Sequence, residues 1–161
     1  MVKIAVFMGS KSDQPIMEPC VEILKDLGIP FLFTITSAHR TPERTARLIS
    51  DLEAENCQVY ICAAGLAAHL AGAVAARTLR PVIGVPISSQ ALVGLDSLLS
   101  TVQMPPGFPV ATVALDKVGA KNAAWLAAQI LALHDLNLAA KLKEQRAKFQ
   151  AEVETAAAEM S

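Results

Sequence analysis

Five apolar runs of strand length recur along the chain: VKIAVFM from Val2, FLFTIT from Phe31, QVYICA from Gln58, PVIGVPI from Pro81 and PVATVAL from Pro109. A stretch of helical pattern separates each run from the next. Strands that are apolar throughout must be covered on both faces, and a helix between consecutive strands leaves room for parallel pairing. The alternation predicts an α/β fold with a central parallel sheet of about five strands between helical layers. The first helix runs towards Gly28, a C-terminal stop. Pro19 inside it removes a backbone donor, so that helix either starts late, near Ile16, or kinks. The second has Thr41 at its N-cap, Pro42 at the first helical position and Glu43 in the first turn, as a helix N-terminus favours. AAHLAGAVAARTL, LVGLDSLLSTVQ and AKNAAWLAAQILALHD read as the remaining helices.

No internal repeat or linker-like stretch divides the 161 residues, so residues 1–161 are read as one domain. Residues 136–161 differ: Leu142, Phe149 and Ala156 repeat every seven, Val153 and Met160 extend the seam, and the other faces are charged. Such a helix must lie against something. It can pack on its own domain or on a neighbouring subunit; the alanine-rich AAHLAGAVAA favours neighbouring subunits.

Bulk properties narrow the function. A net charge of −1 supplies no basic field, which excludes nucleic acid and a membrane surface as partners. No apolar run reaches spanning length, and the N-terminus lacks a signal peptide's pattern. Cys20, Cys57 and Cys62 show neither pairing nor metal-ligand spacing. A soluble, cytoplasmic protein without metal is expected.

In an open parallel sheet, ligands bind beyond the carboxyl ends of the strands. The first strand is followed by GSKSD, the second by SAHRTP, the third by AAGLAAH and the fourth by SSQ. Gly9 lets backbone approach a ligand, and Ser10 and Ser12 set hydroxyls near a helix N-terminus, where an anion is favoured. Asp13 suits sugar hydroxyls, although Ser12 or Asp13 could simply cap the helix. Neither a Walker loop nor a dinucleotide fingerprint is present. Arg40 offers a planar fork for phosphate or carboxylate, and His39 a side chain that can give and take a proton. His69 suits a supporting role, and Gly65 would let backbone amides face the ligand. Together these point to a phosphorylated small molecule.

MGSKSD, SAHRTP, AAHLAG, PVIGVP, VQMPPGFPVATVA and NAAWLAAQILALHD, in this order over residues 2–135, resemble the N5-carboxyaminoimidazole ribonucleotide mutase family of purine biosynthesis. The resemblance implies a flavodoxin-like three-layer sandwich with a C-terminal helical extension, assembled as a homo-octamer. It implies a mutase that moves a carboxylate from the exocyclic nitrogen of a small-molecule ribonucleotide to ring carbon C4, with no cofactor. By matching position, His39 would be the acid/base residue. Ser10, Asp13 and Arg40 would bind the nucleotide, Ser12 would assist at the phosphate, and Ser37, Ala38, Gly65 and Ala67 would line the site. A sister group carboxylates aminoimidazole ribonucleotide directly with CO2; Arg40, Pro42 and His69 favour the mutase. Leu66 replaces a glycine common in the family, and Ala71 a common proline. A non-catalytic nucleotide or flavin module is the other alternative, disfavoured by an aromatic content of 4%.

Overall fold

The structure is a computed structural model that describes residues 1–160. It comprises two compact units, Met1–Ala127 and a second from Ala128 onwards.

The first unit contains β1 (Ile4–Met8), α1 (Gln14–Leu27), β2 (Phe31–Ile35), α2 (Pro42–Ala54), β3 (Val59–Gly65), α3 (Leu70–Ala75), β4 (Val82–Ile87), α4 (Leu95–Val102), β5 (Ala111–Thr112) and most of α5 (Asp116–Ala132). The strands form one parallel sheet in the order β2-β1-β3-β4-β5, the flavodoxin-like order. The three-layer α/β sandwich expected from the alternation is therefore present. β1, β3 and β4 are buried along nearly their whole length, which is why their sequences are unbroken apolar runs rather than alternating ones.

Side-chain alternation divides the core in two. Ala5 and Phe7 of β1, Tyr60 and Cys62 of β3 and Val82 of β4 join Ile49 and Leu52 of α2 and Leu70, Ala71 and Val74 of α3 in one cluster. Phe7 and Tyr60 meet there with ring centroids 5.8 Å apart. The connection from β1 to β2 steps across the sheet in the opposite direction from those that follow. Right-handed crossovers then put α1 on the other face. Its buried stripe is Met17, Cys20, Val21 and Leu24. α5 contributes the buried alanines Ala120, Ala123, Ala124 and Ala127. Small side chains let a helix axis sit close to a sheet, which accounts for the alanine excess within this unit.

Three elements differ from the sequence reading. α1 starts at Gln14, earlier than Ile16, and runs on through Pro19. Only one intrahelical bond is lost, because the amide that proline lacks would have reached the Pro15 carbonyl. α3 covers only Leu70–Ala75, although the small-residue pattern extends further. β5 is two residues long and pairs only through Ile83 with Ala111 and Gly84 with Thr112; an edge strand entered from Pro109 has few donors with which to extend its ladder.

The second unit holds the end of α5 and α6 (Leu136–Glu159). Asp135 caps α6, its carboxylate accepting from the Leu138 amide at 3.0 Å. Leu138 is buried, whereas Leu136, Val153 and Met160 are largely exposed.

Gly84 marks tight packing over the sheet. A Cβ there would fall 2.3 Å from Thr101 Cγ2 and 2.9 Å from Val110 Cγ1. Thr101 is buried, and its hydroxyl donates to the Ser97 carbonyl at 2.7 Å, so it cannot swing away without losing that bond. Gly84→Ala should destabilise the protein by about 1–3 kcal/mol, the usual cost of overpacking; urea unfolding checks this.

Candidate active site

The backbone at the carboxyl end of the sheet is fixed before any side chain acts. Gly9 N–H donates to the Ala63 carbonyl at 3.0 Å and Thr36 N–H to the Met8 carbonyl at 2.9 Å, tying the exits of β1, β2 and β3 together. A Cβ on Gly65 would stand 3.1 Å from the Ile87 carbonyl, so a side chain at 65 would press the exits of β3 and β4 apart by a few tenths of an ångström.

A cavity of about 610 Å³ opens between these exits. All nine residues read from the sequence line it: Ser10, Ser12, Asp13, Ser37, Ala38, His39, Arg40, Gly65 and Ala67. His69 and Leu66 line it too, as do Ile87, Ser88 and Ser89 from the exit of β4. A larger cleft, of about 930 Å³, lies where β4 and β5 begin, lined by Glu53, Arg77, Arg80 and Phe108. Ligands of parallel sheets bind at the carboxyl ends, so position favours the smaller cavity.

The first wall is a 3-10 turn, Lys11–Asp13. Ser10 and Asp13 form a capping box: Asp13 Oδ2 accepts from Ser10 N–H at 3.0 Å, and Ser10 Oγ accepts from Ser12 N–H at 3.4 Å. Ser12 Oγ donates to Ser10 Oγ at 2.9 Å. The cap is therefore Ser10, answered by Asp13, and not Ser12; Asp13, at the N-cap of α1, makes no side-chain cap bond to that helix. Burial holds the Asp13 carboxyl above the ordinary value, against the pull of Ser10 N–H, the Ser12 hydroxyl and the Arg40 charge. The desolvated carboxylate retains lone pairs that a sugar hydroxyl would satisfy.

The second wall is the loop before α2. Thr41 occupies the N-cap, but its hydroxyl does not cap the helix. It accepts from Ser37 N–H at 2.9 Å, while Ser37 Oγ accepts from Arg40 N–H at 3.1 Å. The loop is thus tied at both ends, with His39 and Arg40 held between them. Arg40 reaches across the cavity, Nη2 donating to the Gly9 carbonyl at 2.6 Å. That charge-assisted bond joins the two walls and orients the rest of the guanidinium fork.

His39 Nε2 lies 2.8 Å from His69 Nδ1, with the rings edge to face. One ring must donate and the other accept, so the pair cannot carry protons on both facing nitrogens. His69 sits at the N-cap of α3, where the backbone fixes it opposite the His39 loop.

A further wall comes from the exit of β4, where no site residue was assigned from sequence. Asp116 accepts from Ser88 N–H at 2.8 Å and from Ser88 Oγ at 2.6 Å, and Ser89 Oγ donates to Asp96 at 3.2 Å. SSQ at a strand exit was the available signal; Asp116, which holds Ser88, lies 28 residues further along the chain. Among the described residues no three His, Cys, Asp or Glu side chains gather into a metal-binding group. The three cysteines are buried, and burial pushes Cys20 up to about 12 and raises Cys57 and Cys62. None offers a thiolate at neutral pH.

The AIR carboxylase family model matches residues 3–152. The chain belongs to that family. It is 51% identical over 144 residues to the N5-carboxyaminoimidazole ribonucleotide mutase of Escherichia coli K12, covering 89% of this chain and 85% of the relative. The mutase of Methanocaldococcus jannaschii is 51% identical over 150 residues, covering 93% and 92%, and that of Saccharolobus solfataricus 54% over 144 residues, covering 89% and 90%. The crystal structure of Treponema denticola PurE superposes with a TM-score of 0.86 at 30% identity, covering 95% of this chain and 94% of that one.

Asp13 predicts a pH dependence of stability. Its folded pKa lies above the ordinary 3.8, so the folded form binds the proton more tightly than the unfolded chain. Stability should fall as pH rises through the window between those values and level off above it. Urea unfolding from about pH 3.5 to 7 should show wild type losing stability relative to Asp13→Asn as pH rises within that window. A difference between them that does not vary with pH would contradict the assignment.

Proposed function

We propose that this chain is an N5-carboxyaminoimidazole ribonucleotide mutase of purine biosynthesis. The observation that carries the reading is identity of about half to curated mutases over most of the chain. It is supported by a single cavity lined by all nine residues that the resemblance assigns to the site.

In this reading the cavity divides the work. Arg40, Ser10 and Ser12 take the phosphate, and Asp13 accepts from ribose hydroxyls. These contacts lie away from the reacting atoms and fix the position of the imidazole ring. Ser37, Ala38, Gly65 and Ala67 shape the ring's surroundings. The carbamate N–C bond breaks, its electron pair stays on nitrogen, and CO2 is released inside the cavity. The nitrogen takes a proton from His39. C4, nucleophilic in the aminoimidazole, attacks CO2 and forms the new C–C bond. C4 then loses its proton to His39, which is restored. Each proton given is recovered, so no external acid, base or ATP is consumed. His69, hydrogen-bonded to His39, keeps the imidazole directed towards the ring.

The substrate is a small ribonucleotide. We further propose a homo-octamer in the cytoplasm. Leu95, Leu99 and Val102 form an exposed apolar row on α4, and α6 exposes Leu136, Val153 and Met160; further copies of the chain would cover such surfaces. No helix among the described residues is long and apolar enough to cross a membrane.

Turnover of N5-carboxyaminoimidazole ribonucleotide without added bicarbonate or ATP, followed through the C4-carboxylated product, tests the reading. Rapid product formation is expected. If product forms only from aminoimidazole ribonucleotide with high bicarbonate, the protein is the direct carboxylase instead.

A further inference from the structure

A serine hydroxyl has one proton to give and lone pairs with which to accept, so its protein partners decide what it offers a ligand. At the exit of β1, Ser10 Oγ accepts from Ser12 Oγ at 2.9 Å and from Ser12 N–H at 3.4 Å. Its own proton is left for a ligand. Arg40 reaches the adjacent Gly9 carbonyl, so this end of the cavity donates, as an anion requires.

The exit of β4 is built the opposite way. Ser88 Oγ donates to Asp116 at 2.6 Å, and Ser88 N–H donates to the other oxygen of the same carboxylate at 2.8 Å. Ser89 Oγ donates to Asp96 at 3.2 Å. A carboxylate has no proton to return, so both hydroxyls keep only lone pairs for a ligand. Asp116 holds Ser88 from left-handed backbone, at φ 56°, where a side chain carries a steric cost. Ser88 and Ser89 line the same cavity as His39 and Arg40, and Asp116 reaches that lining through Ser88. Two carboxylates close behind the serines also disfavour an anion there.

We propose that Ser88 and Ser89 form an acceptor-only face that selects the exocyclic amino group of the substrate's base, and that Asp116 fixes it in that state. The inference rests on the mutase reading, in which the phosphate lies at Ser10, Ser12 and Arg40. With the anion at the donating end and the amino group at the accepting end, the nucleotide fits in one direction only. Ser88 is a specificity residue and Asp116 a positioning residue; neither moves a proton in the reaction. A site built to accept from an N–H rejects an analogue that lacks it, because its own lone pairs are left unpaired.

Two ligands separate the base from the rest of the nucleotide. Aminoimidazole ribonucleotide carries the amino group, whereas ribose 5-phosphate has the sugar and phosphate without a base. Their dissociation constants are measured by calorimetry on wild type, Ser88→Ala and Asp116→Asn. Ser88→Ala should weaken aminoimidazole ribonucleotide about three- to tenfold, the scale of one hydrogen bond, and leave ribose 5-phosphate within about twofold. Asparagine tolerates the backbone at 116 but has one oxygen for two donors, and its amide can fill the Ser88 lone pair. Asp116→Asn should therefore show the same selective loss, with none on ribose 5-phosphate. Unchanged binding of aminoimidazole ribonucleotide in either variant, or equal losses on the two ligands, overturns the acceptor face while leaving the mutase intact. A wild type that binds neither ligand overturns both.

Discussion

Because all five strands run the same way, their carboxyl ends open on one edge of the sheet, and every group of the candidate site depends on that arrangement. Segments far apart in sequence meet there: Ser10 after β1, His39 after β2, Gly65 after β3 and Ser88 after β4. β1, β3 and β4 are buried on both faces, so their exits are placed by the core rather than by the loops. The Arg40 bond to the Gly9 carbonyl joins two of these exits directly across the cavity. A cation that fastens two walls and also faces the cavity is already oriented for an anion, which lowers the cost of binding one.

The same economy recurs around the cavity. Ser10 and Asp13 cap a 3-10 turn with groups that also face the ligand. Ser37 and Thr41 spend their hydroxyls on the loop that presents His39 and Arg40. Asp116 accepts two bonds from Ser88 from a strained backbone, and Asp96 holds Ser89 with one oxygen while the other is buried without a partner. Unpaired buried oxygen and left-handed backbone are both unfavourable for folding. Their concentration beside the exit of β4 is the pattern expected where geometry serves a ligand rather than stability.

Much of this was legible in the sequence, for identifiable reasons. Strand runs are apolar because the strands are doubly covered, so the parallel sheet and the location of the site followed from pattern alone. GSKSD and SAHRTP were legible because each stands at a strand exit and carries chemistry that loops rarely need. Other features depend on which partner a side chain meets once the loops are folded. Thr41 has the identity of an N-cap, yet Ser37 N–H claims its hydroxyl. Ser88 and Ser89 acquire meaning only from Asp116 and Asp96. β5 was overestimated because edge position and Pro109, rather than apolarity, limit its pairing.

In the proposed reaction one proton carrier, His39, stands at the meeting point of the strand exits. Comparing substrate binding with turnover for His39→Asn tests this most directly, because asparagine can still hydrogen-bond but cannot carry the proton. Binding should survive while turnover falls by about 100-fold or more, the scale of a lost acid/base group. Turnover near the wild-type rate would contradict it, and a different group would have to move the proton between nitrogen and C4.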